Sequence, residues 1–407
     1  MGGTERTGAC AAGAGRYWGG PAREPRKGRR GSGVERRGFP ASLRRRRAPL
    51  PGQDTFPAVV PKRPSPCYDS RNEDEPAGRM KASTNGLRVV AMGGGTGLPV
   101  VLAGLKRFLG GRLGELTAIV TVTDDGGSSG RLRDELQILP PGDIRNCLVA
   151  LAEVEPLMAQ LFQHRFSGSG GLAGHSFGNL FLAALADVTG DFLQAIRVSS
   201  KVLAVRGTIL PSTLENVQLS AELEDGTVVT GESQIAKAGR RIRRVMLEPP
   251  HCRPLSEALE AIDQAHAIVL APGSLYTSII PNLLVPGMSD ALKNASALKI
   301  YVANLMTEPG ETDDHSLSGH LEAIFAHGGP GTIEGVVVNR EPLRPALIER
   351  YGAAGARPVQ LDMERVQALG IWAVEGELIG SREVARHHPQ KLGKLLIALL
   401  DGSAQRQ

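Results

Sequence analysis

From about residue 85 onward the sequence predicts a doubly wound α/β fold, a mostly parallel, Rossmann-like sheet with a small β-rich insertion. Three observations predict it. Leu87–Met92 is a short apolar run that leads into Gly93-Gly94-Gly95-Thr96-Gly97 and then into the helix-like stretch Pro99–Phe108, the strand, glycine turn and helix that open a doubly wound sheet. Short apolar runs and stretches of helical periodicity then alternate to the end of the chain. Finally, Gly is abundant at 51 residues while aromatics are only 4%, which suits a sheet with many glycine turns better than an all-β sandwich.

The elements follow in order. Leu116–Thr123 reads as the second strand and ends in Asp124-Asp125-Gly126-Gly127-Ser128-Ser129-Gly130. Residues 141–165 place Ile144, Leu148, Leu151, Val154, Leu157 and Leu161 at helical spacing. Residues 167–174 form a glycine-rich loop, and a helical pattern runs from about Phe177 to Leu203 with a break near Gly190. Residues 208–247 change character, because Val217–Leu223 and Thr227–Thr230 flank Asp225-Gly226, a hairpin turn signal; a small β-rich insertion is expected at about 208–247. The run Arg240-Arg241-Ile242-Arg243-Arg244 closes it. Such a run is ordinarily a solvated face, with a phosphate patch as the alternative. The alternation then resumes with helix Leu255–Ala265, strand Ala267–Ala271, and Pro272-Gly273-Ser274 opening a helix. Strand Lys299–Leu305, a loop containing Gly310, a helix near 316–327 and strand Ile333–Val338 come next. A final edge strand is expected at Pro358–Leu361 and a terminal amphipathic helix at Gln390–Leu400. No internal repeat is evident.

The formal net charge of +5 is unevenly distributed. Residues 1–50 hold 13 Lys and Arg against 3 Asp and Glu, a balance of +10, which leaves −5 for the remaining chain. The basic character of the whole is therefore no argument for nucleic-acid binding by the folded part. Residues 1–84, rich in Gly, Pro and Arg and including Arg44-Arg45-Arg46-Arg47, lack either periodicity and are expected to be a disordered basic extension. They read as a basic tail, as an Arg-rich transit peptide, or as an upstream extension of the gene start with Met80 as the initiator, the reading we favour. Residues 85–407 would then be one nucleotide-binding α/β domain. Cys10, Cys67, Cys147 and Cys252 form no CxxC pair, so neither a zinc site nor a disulfide framework is indicated, which fits a reducing cytosol. No apolar run reaches the length of a membrane span.

Six segments carry chemistry. The first is Gly93–Gly97, a glycine turn at a helix N-terminus, where backbone N–H groups can bind phosphate oxygens; Gly94, Gly95, Thr96 and Gly97 are its candidates. The spacing is neither G-x-G-x-x-G nor a P-loop, and a tight turn without a ligand is the bland alternative. The second is Thr123–Arg131. Asp124 or Asp125 can hold a ribose hydroxyl or recruit Mg²⁺ to a diphosphate, while Ser128, Ser129 and Arg131 can add phosphate contacts; helix capping and a surface loop form the alternative. The third is Pro141–Asn146, where Asp143 either caps a helix or faces a phosphate site with Arg145 and Asn146. In the fourth, Gly174–Asn179, His175 can act as an acid–base group or a structural hydrogen-bonding residue, and Asn179 is the preferred ligand contact. The fifth is Ala271–Ser278, in which Ser274 can meet phosphate and Tyr276 can stack on a base or pack in the core. The sixth is Asn304–Thr312, a polar loop leaving a strand, with Asn304 as its candidate. All six can lie on the carboxyl edge of one sheet, where open α/β folds bind ligands.

Together Gly93–Leu98, Thr123–Arg131, Pro141–Asn146, His175–Asn179, Pro272–Ser278 and Asn304–Thr312 resemble the gluconeogenesis factor family, the YvcK/CofD-like proteins, over roughly residues 87–400. The resemblance implies one of two activities. One branch comprises 2-phospho-lactate transferases, which act on a nucleotide-activated phospholactate and a deazaflavin acceptor. The other comprises cytoplasmic bacterial factors required for cell shape during gluconeogenic growth, which bind UDP-sugars such as UDP-N-acetylglucosamine. Thr123–Arg131 and His175–Asn179 look more like the second. On that branch, which has no settled catalytic activity and so names no catalytic residue, the partners would be a UDP-sugar, proteins of cell-wall synthesis and a second copy of the chain. On the transferase branch Asp124 and Asp125 would be catalytic metal ligands for Mg²⁺, the one cofactor considered. A NAD-dependent oxidoreductase is disfavoured by the glycine spacing and by the second phosphate-type loop after Asp124-Asp125.

Overall fold

The computed structural model describes residues 86–404 except 155 and 381–382, so the expectations for residues 1–84 lie outside the described residues. Its centre is the strand β1, Leu87–Gly93, in which Val89, Val90, Ala91 and Met92 are at most 2% exposed. Such a run, apolar on both faces, can only be a central strand of a sheet covered by helices on each side. The other strands are β2 (Leu113–Val120), β3 (Thr208–Pro211), β4 (Gln218–Leu223), β5 (Val228–Thr230) and β6 (Ile242–Glu248). β7 (Ala267–Leu270), β8 (Leu298–Val302), β9 (Gly335–Asn339) and β10 (Trp372–Gly376) complete the set. Seven of them form one sheet in the order β10-β9-β8-β7-β1-β2-β3, with every pairing parallel. The chain therefore winds outward from β1 in one direction and from β7 in the other, and the sheet is doubly wound and Rossmann-like. β1 and β7 are the neighbours at which the winding reverses.

Local chemistry places the helices. The expected break near Gly190 falls between helices Phe177–Thr189 and Phe192–Val202, with Gly190 at φ 67°. Ser176 caps the first by accepting from Asn179 N–H at 3.2 Å, and Asp191 caps the second by accepting from Leu193 N–H at 2.8 Å, each such cap being worth about 1 kcal/mol. The helix expected after Ser274 begins as a π-helical turn, Leu275–Ile279, before the α-helix Ile280–Leu284. Pro281 explains it: without an N–H it cannot bond the Thr277 carbonyl one turn back, and its ring crowds that oxygen. The Thr277 carbonyl accepts from the Thr123 hydroxyl instead, at 3.4 Å.

Two expectations are corrected at the sheet edges. Pro358–Leu361 is not a strand, since Pro358 makes only an isolated bridge to Met306. The edge is β10, which the half-exposed Trp372–Gly376 pattern concealed. Trp372 lies opposite Gly335, where a Cβ would overlap the indole ring; the glycine makes the room the tryptophan fills. At the other edge, Thr208–Pro211 pairs with β2 and so belongs to the main sheet rather than to the insertion.

The insertion is a three-stranded antiparallel sheet, β5-β4-β6, spanning Gln218 to Glu248. Its Asp225-Gly226 turn is as expected, with Gly226 at φ 82° and the Asp225 carboxylate accepting from Thr227 N–H at 3.0 Å. The helix Glu232–Ala238 between β5 and β6 was not foreseen. The basic run is tied to the hairpin's acids. Glu222 pairs with Arg243 at 2.8 Å and with Arg244 at 2.7 Å, Arg241 pairs with Glu224, and Arg240 with Asp225. These exposed pairs are worth little stability each, and they make the run a neutralised, solvated face. Among the described residues no helix is long and apolar enough to cross a membrane.

Candidate functional site

The carboxyl ends of β1 and β7 place two glycine turns side by side. Gly97, which opens the helix Gly97–Leu105, packs so tightly on the loop after β7 that a Cβ there would overlap the Pro272 carbonyl. On Gly94 a Cβ would stand 2.6 Å from Thr121 Cγ2 and 2.7 Å from Asp143 Oδ2. These glycines are thus required by chain packing before any ligand is considered. Gly95 adopts φ 59° and its N–H donates to Asp143 Oδ2 at 2.7 Å. A carboxylate of the protein already occupies that amide. Thr96 is the exposed residue of the turn, and its hydroxyl makes no cap bond to the helix it precedes.

The other four segments join this pair. Asp143 lies in the first turn of the helix Pro141–Leu151 and reaches across to the β1 turn, accepting from Gly95 N–H, rather than capping its own helix. Asn146 Nδ2 donates to Gly95 O at 3.4 Å and Arg145 to Ser176 Oγ at 2.6 Å. A Cβ on Gly142 would come within 3.0 Å of Asp124 Oδ2, which brings in the loop after β2. There Asp124 accepts from Gly126 N–H at 2.9 Å and is hydrogen-bonded by Ser129. Ser128 Oγ lies 3.0 Å from His175 Nδ1 and accepts from Asn179 Nδ2 at 3.1 Å. Across the switch point, Asn304 clasps the Gly273 unit from both sides: Gly273 N–H donates to Asn304 Oδ1 at 2.9 Å and Asn304 Nδ2 donates to Gly273 O at 2.8 Å. Contacts and short peptide links therefore run from Asn304 through Gly273, Pro272, Gly97, Gly95, Asp143, Gly142, Asp124 and Ser129 to Ser128, His175 and Asn179.

Not every candidate faces open space. Asn179 is 1% and Ser128 3% exposed; with His175 they tie the helix Gly127–Leu136 to the helix Phe177–Thr189. Tyr276 is 4% exposed, its hydroxyl lies 3.2 Å from His315 Nε2, and its ring packs edge-on against His315 and His327. Of the two readings of Tyr276, the core one describes its surroundings. Asn304 has both ends of its amide engaged on Gly273. Gly95, Thr96, Gly97, Asp124, Asp125 and Ser274 keep part of their surface open.

Electrostatically the site is acidic. Burial, and then the charge of Asp124, pushes the Asp143 carboxyl up to about 7 against the opposing pull of the Gly95 amide and Arg145. Burial raises Asp124 too, with Gly126 N–H and Ser129 opposing it. Two carboxyls absent from the sequence reading join them. Glu232, from the insertion helix, is pushed well up by burial and by Asp124, Asp143, Glu311 and Asp125. Glu311, in the loop after β8, is pushed up by burial and by Glu308 while accepting from Thr277 Oγ1 at 3.1 Å. Glu311 lay within a segment read as polar; Glu232 had no local signal, since it comes to the site only through the fold of the insertion.

Asp125 does not turn toward Asp124's partners. Its Oδ1 accepts from Ser233 N–H at 2.8 Å. Among the described residues no group of three His, Cys, Asp or Glu side chains is placed to hold a metal ion. Two surface hollows, of about 520 and 590 Å³, lie away from the glycine turns; the first is lined by Glu115, Arg197 and Glu260, the second by Leu136, Leu180 and Leu214.

Comparison with known proteins fits this architecture. The family model described as 2-phospho-L-lactate transferase CofD matches residues 89–379. A gluconeogenesis factor of Halalkalibacterium halodurans is 51% identical over 315 residues, which are 77% of this chain and 96% of the relative. The chain belongs to the gluconeogenesis factor family. The Bacillus subtilis gluconeogenesis factor is 48% identical over 314 residues, 77% of this chain and 98% of that protein. A crystal structure of a family member from Bacillus halodurans superposes with a TM-score of 0.74 at 51% identity, covering 76% of this chain and 99% of that one. Gluconeogenesis factors are in turn related to the CofD-type transferases through the shared model.

Proposed function

We propose that this gluconeogenesis factor binds a UDP-sugar, with UDP-N-acetylglucosamine as the representative ligand, at the cleft between the β1 and β7 turns. It would act in the bacterial cytoplasm as a regulator that couples nucleotide-sugar supply to cell-wall synthesis and cell shape during gluconeogenic growth. The observation that carries the reading is the convergence of six chain-distant loops at one switch point, the place where open α/β sheets take their ligands. The amides of Thr96, Gly97 and Ser274 with the exposed Thr96 hydroxyl would receive the diphosphate, and Asp124 the ribose. Proteins of wall synthesis and a second copy of the chain are its proposed partners. Titration calorimetry of the full chain with UDP-N-acetylglucosamine tests the reading; saturable heat that UDP alone gives more weakly is expected, and no heat for either nucleotide removes it.

The family model supports a second reading, transfer of a phospholactyl group from its nucleotide-activated form to a deazaflavin acceptor. Turnover of those substrates in the presence of Mg²⁺, lost in Asp125→Asn, would establish it. Absence of turnover in a preparation that binds UDP-N-acetylglucosamine would decide for the regulator.

A further inference from the structure

The main sheet ends at β3, which is paired on one side only, with β2. Its bonds to β2 alternate along the strand. Ser212 N–H donates to the Val120 carbonyl at 2.9 Å and the pairing is parallel, so the N–H and C=O of Thr208 and Leu210 point into the sheet. Those of Ile209, and the Pro211 carbonyl, point out of it. Proline fits that outward position because it has no N–H to lose from the ladder. Ile209 is 3% exposed, and among the described residues neither its N–H nor its C=O has a hydrogen-bond partner. Backbone groups shut off from water without partners are costly, and one further strand would satisfy both.

The hollow of about 520 Å³ lies along this edge, lined by Gly207–Leu210. Four extended residues need a slot on the order of 600 Å³, from strand rise, strand spacing and the separation of packed layers. The rims of the hollow are two helices, Phe192–Val202 and Ser256–Asp263. The first ends the crossover that carries the chain outward from β2 to β3, and the second ends the one that brings it back from β3 to β7. Right-handed crossovers in opposite directions put their helices on opposite faces of a sheet, so one rim stands on each side of the edge. The rims differ in charge: the first presents Arg197 and Lys201 to the hollow, the second Glu257 and Glu260. Of these four, Arg197 and Glu257 meet at 3.1 Å, and both are exposed. Such a pair is worth little and is readily exchanged for others.

We propose that the free edge of β3 is a strand-addition site for an extended peptide in which acidic and basic side chains alternate. Docked in the plane of the sheet, the peptide bonds to Ile209 N–H and C=O. Its side chains point in turn to the two faces, so acids at i and i+2 meet Arg197 and Lys201 while bases at i+1 and i+3 meet Glu257 and Glu260. The backbone bonds supply affinity and the alternation supplies selectivity. The Arg197–Glu257 pair gives way to one pair from each of its members to the peptide. β3 lies two strands from β1, and the site does not depend on which ligand the glycine turns take.

Two fluorescently labelled hexapeptides of one composition, Thr-Glu-Lys-Glu-Lys-Thr and Thr-Glu-Glu-Lys-Lys-Thr, test the site by anisotropy on the full chain. The alternating peptide should bind saturably and about tenfold tighter than the blocked one, whose middle charges face like charges. Arg197→Glu should remove that preference. Amide exchange followed by NMR on the wild type gives a second reading that needs no variant. Saturating alternating peptide should slow exchange of the Ile209 amide about tenfold or more while β1 amides stay constant. Absence of saturable binding, equal affinities for the two peptides, a preference that survives Arg197→Glu, or binding that leaves Ile209 exchange unchanged overturns the proposal. So does Ile209 protection that grows with protein concentration in the absence of peptide, which would make a second copy of the chain the occupant.

Discussion

After β1 the chain turns on Gly94, Gly95 and Gly97 into a regular α-helix; after β7 it turns on Gly273 into a π-helical one. The two turns share a sequence pattern of strand, glycine and helix, yet they are held by different forces. The β1 turn is fixed by steric exclusion, with backbone and side chains standing where Cβ atoms would be. Gly273 has nothing nearer than 3.8 Å to an added Cβ and is held instead by the paired hydrogen bonds to Asn304. A glycine after a strand therefore does not by itself mean an open phosphate nest. At Gly97 it means that the two turns touch, and at Gly95 it means an amide spoken for by Asp143.

Substitution should separate the two turns most strongly at Gly97. Gly97→Ala puts a methyl group onto the Pro272 carbonyl, a backbone atom that cannot swing aside, and overpacking of this kind costs about 3 kcal/mol or more. Urea denaturation should show that loss, whereas Gly273→Ala, penalised only for its φ of 156°, should lose about 1–3 kcal/mol. Equal losses would break the distinction between a sterically fixed turn and a hydrogen-bonded one.

Next in size is Asn304→Ala. It removes both bonds to the Gly273 unit and should cost about 2 kcal/mol, at roughly 1 kcal/mol for each net bond. Asn304→Asp keeps the acceptor for Gly273 N–H and loses the donor to Gly273 O, so it should fall between the alanine variant and wild type. If the alanine variant unfolds at the same urea concentration as wild type, the clasp is not what holds the β7 turn.

What could be read in advance follows the same division. Contiguous apolar strands such as Val89–Met92 and Val336–Val338, and punctuating residues such as Gly190 and Asp225-Gly226, act locally, and the doubly wound class, though not the order of its strands, was legible from them. β10 was not, because Trp372–Gly376 is half-exposed and owes its place to the gap opposite Gly335. The six site loops were legible as segments. Their division of labour was not, because it depends on which loop reaches which: Asn179 and Tyr276 turn inward, Asn304 clasps a peptide, and Glu232 arrives from an insertion more than a hundred residues after Asp124. A pattern along the chain reports neighbours in sequence, whereas burial and charge at this site are set by neighbours in space.

The Asp143–Gly95 bond offers a finer test. The Asp143 carboxyl is raised in the folded protein, so its contribution to stability is complete below the ordinary carboxylate range and declines as pH rises through about 7. Between pH 5 and 7 the decline approaches about 1.4 kcal/mol per pH unit, the value for one proton. Asp143→Asn, which cannot ionise, should flatten the stability profile over that interval. Denaturation midpoints at pH 5, 6 and 7 would show it, and a slope unchanged from wild type would mean that Asp143 does not carry the titration.

The smallest structural effect belongs to Thr96, and it bears most directly on function. Thr96 is exposed and occupies the N-cap position of the helix Gly97–Leu105 without making the cap bond its hydroxyl would allow. Thr96→Ala removes no intramolecular hydrogen bond of the cap and should leave stability within about 0.5 kcal/mol of wild type. If the β1 turn receives a diphosphate, that hydroxyl is presented to it, and losing one such contact should weaken binding of UDP-N-acetylglucosamine about fivefold to tenfold, the equivalent of roughly 1 kcal/mol. Calorimetry on the variant would thus report on the ligand with the fold held constant. Unaltered affinity would place the diphosphate away from the β1 turn and toward Ser274, making the hydrogen-bonded turn, rather than the sterically fixed one, the ligand's side of the cleft.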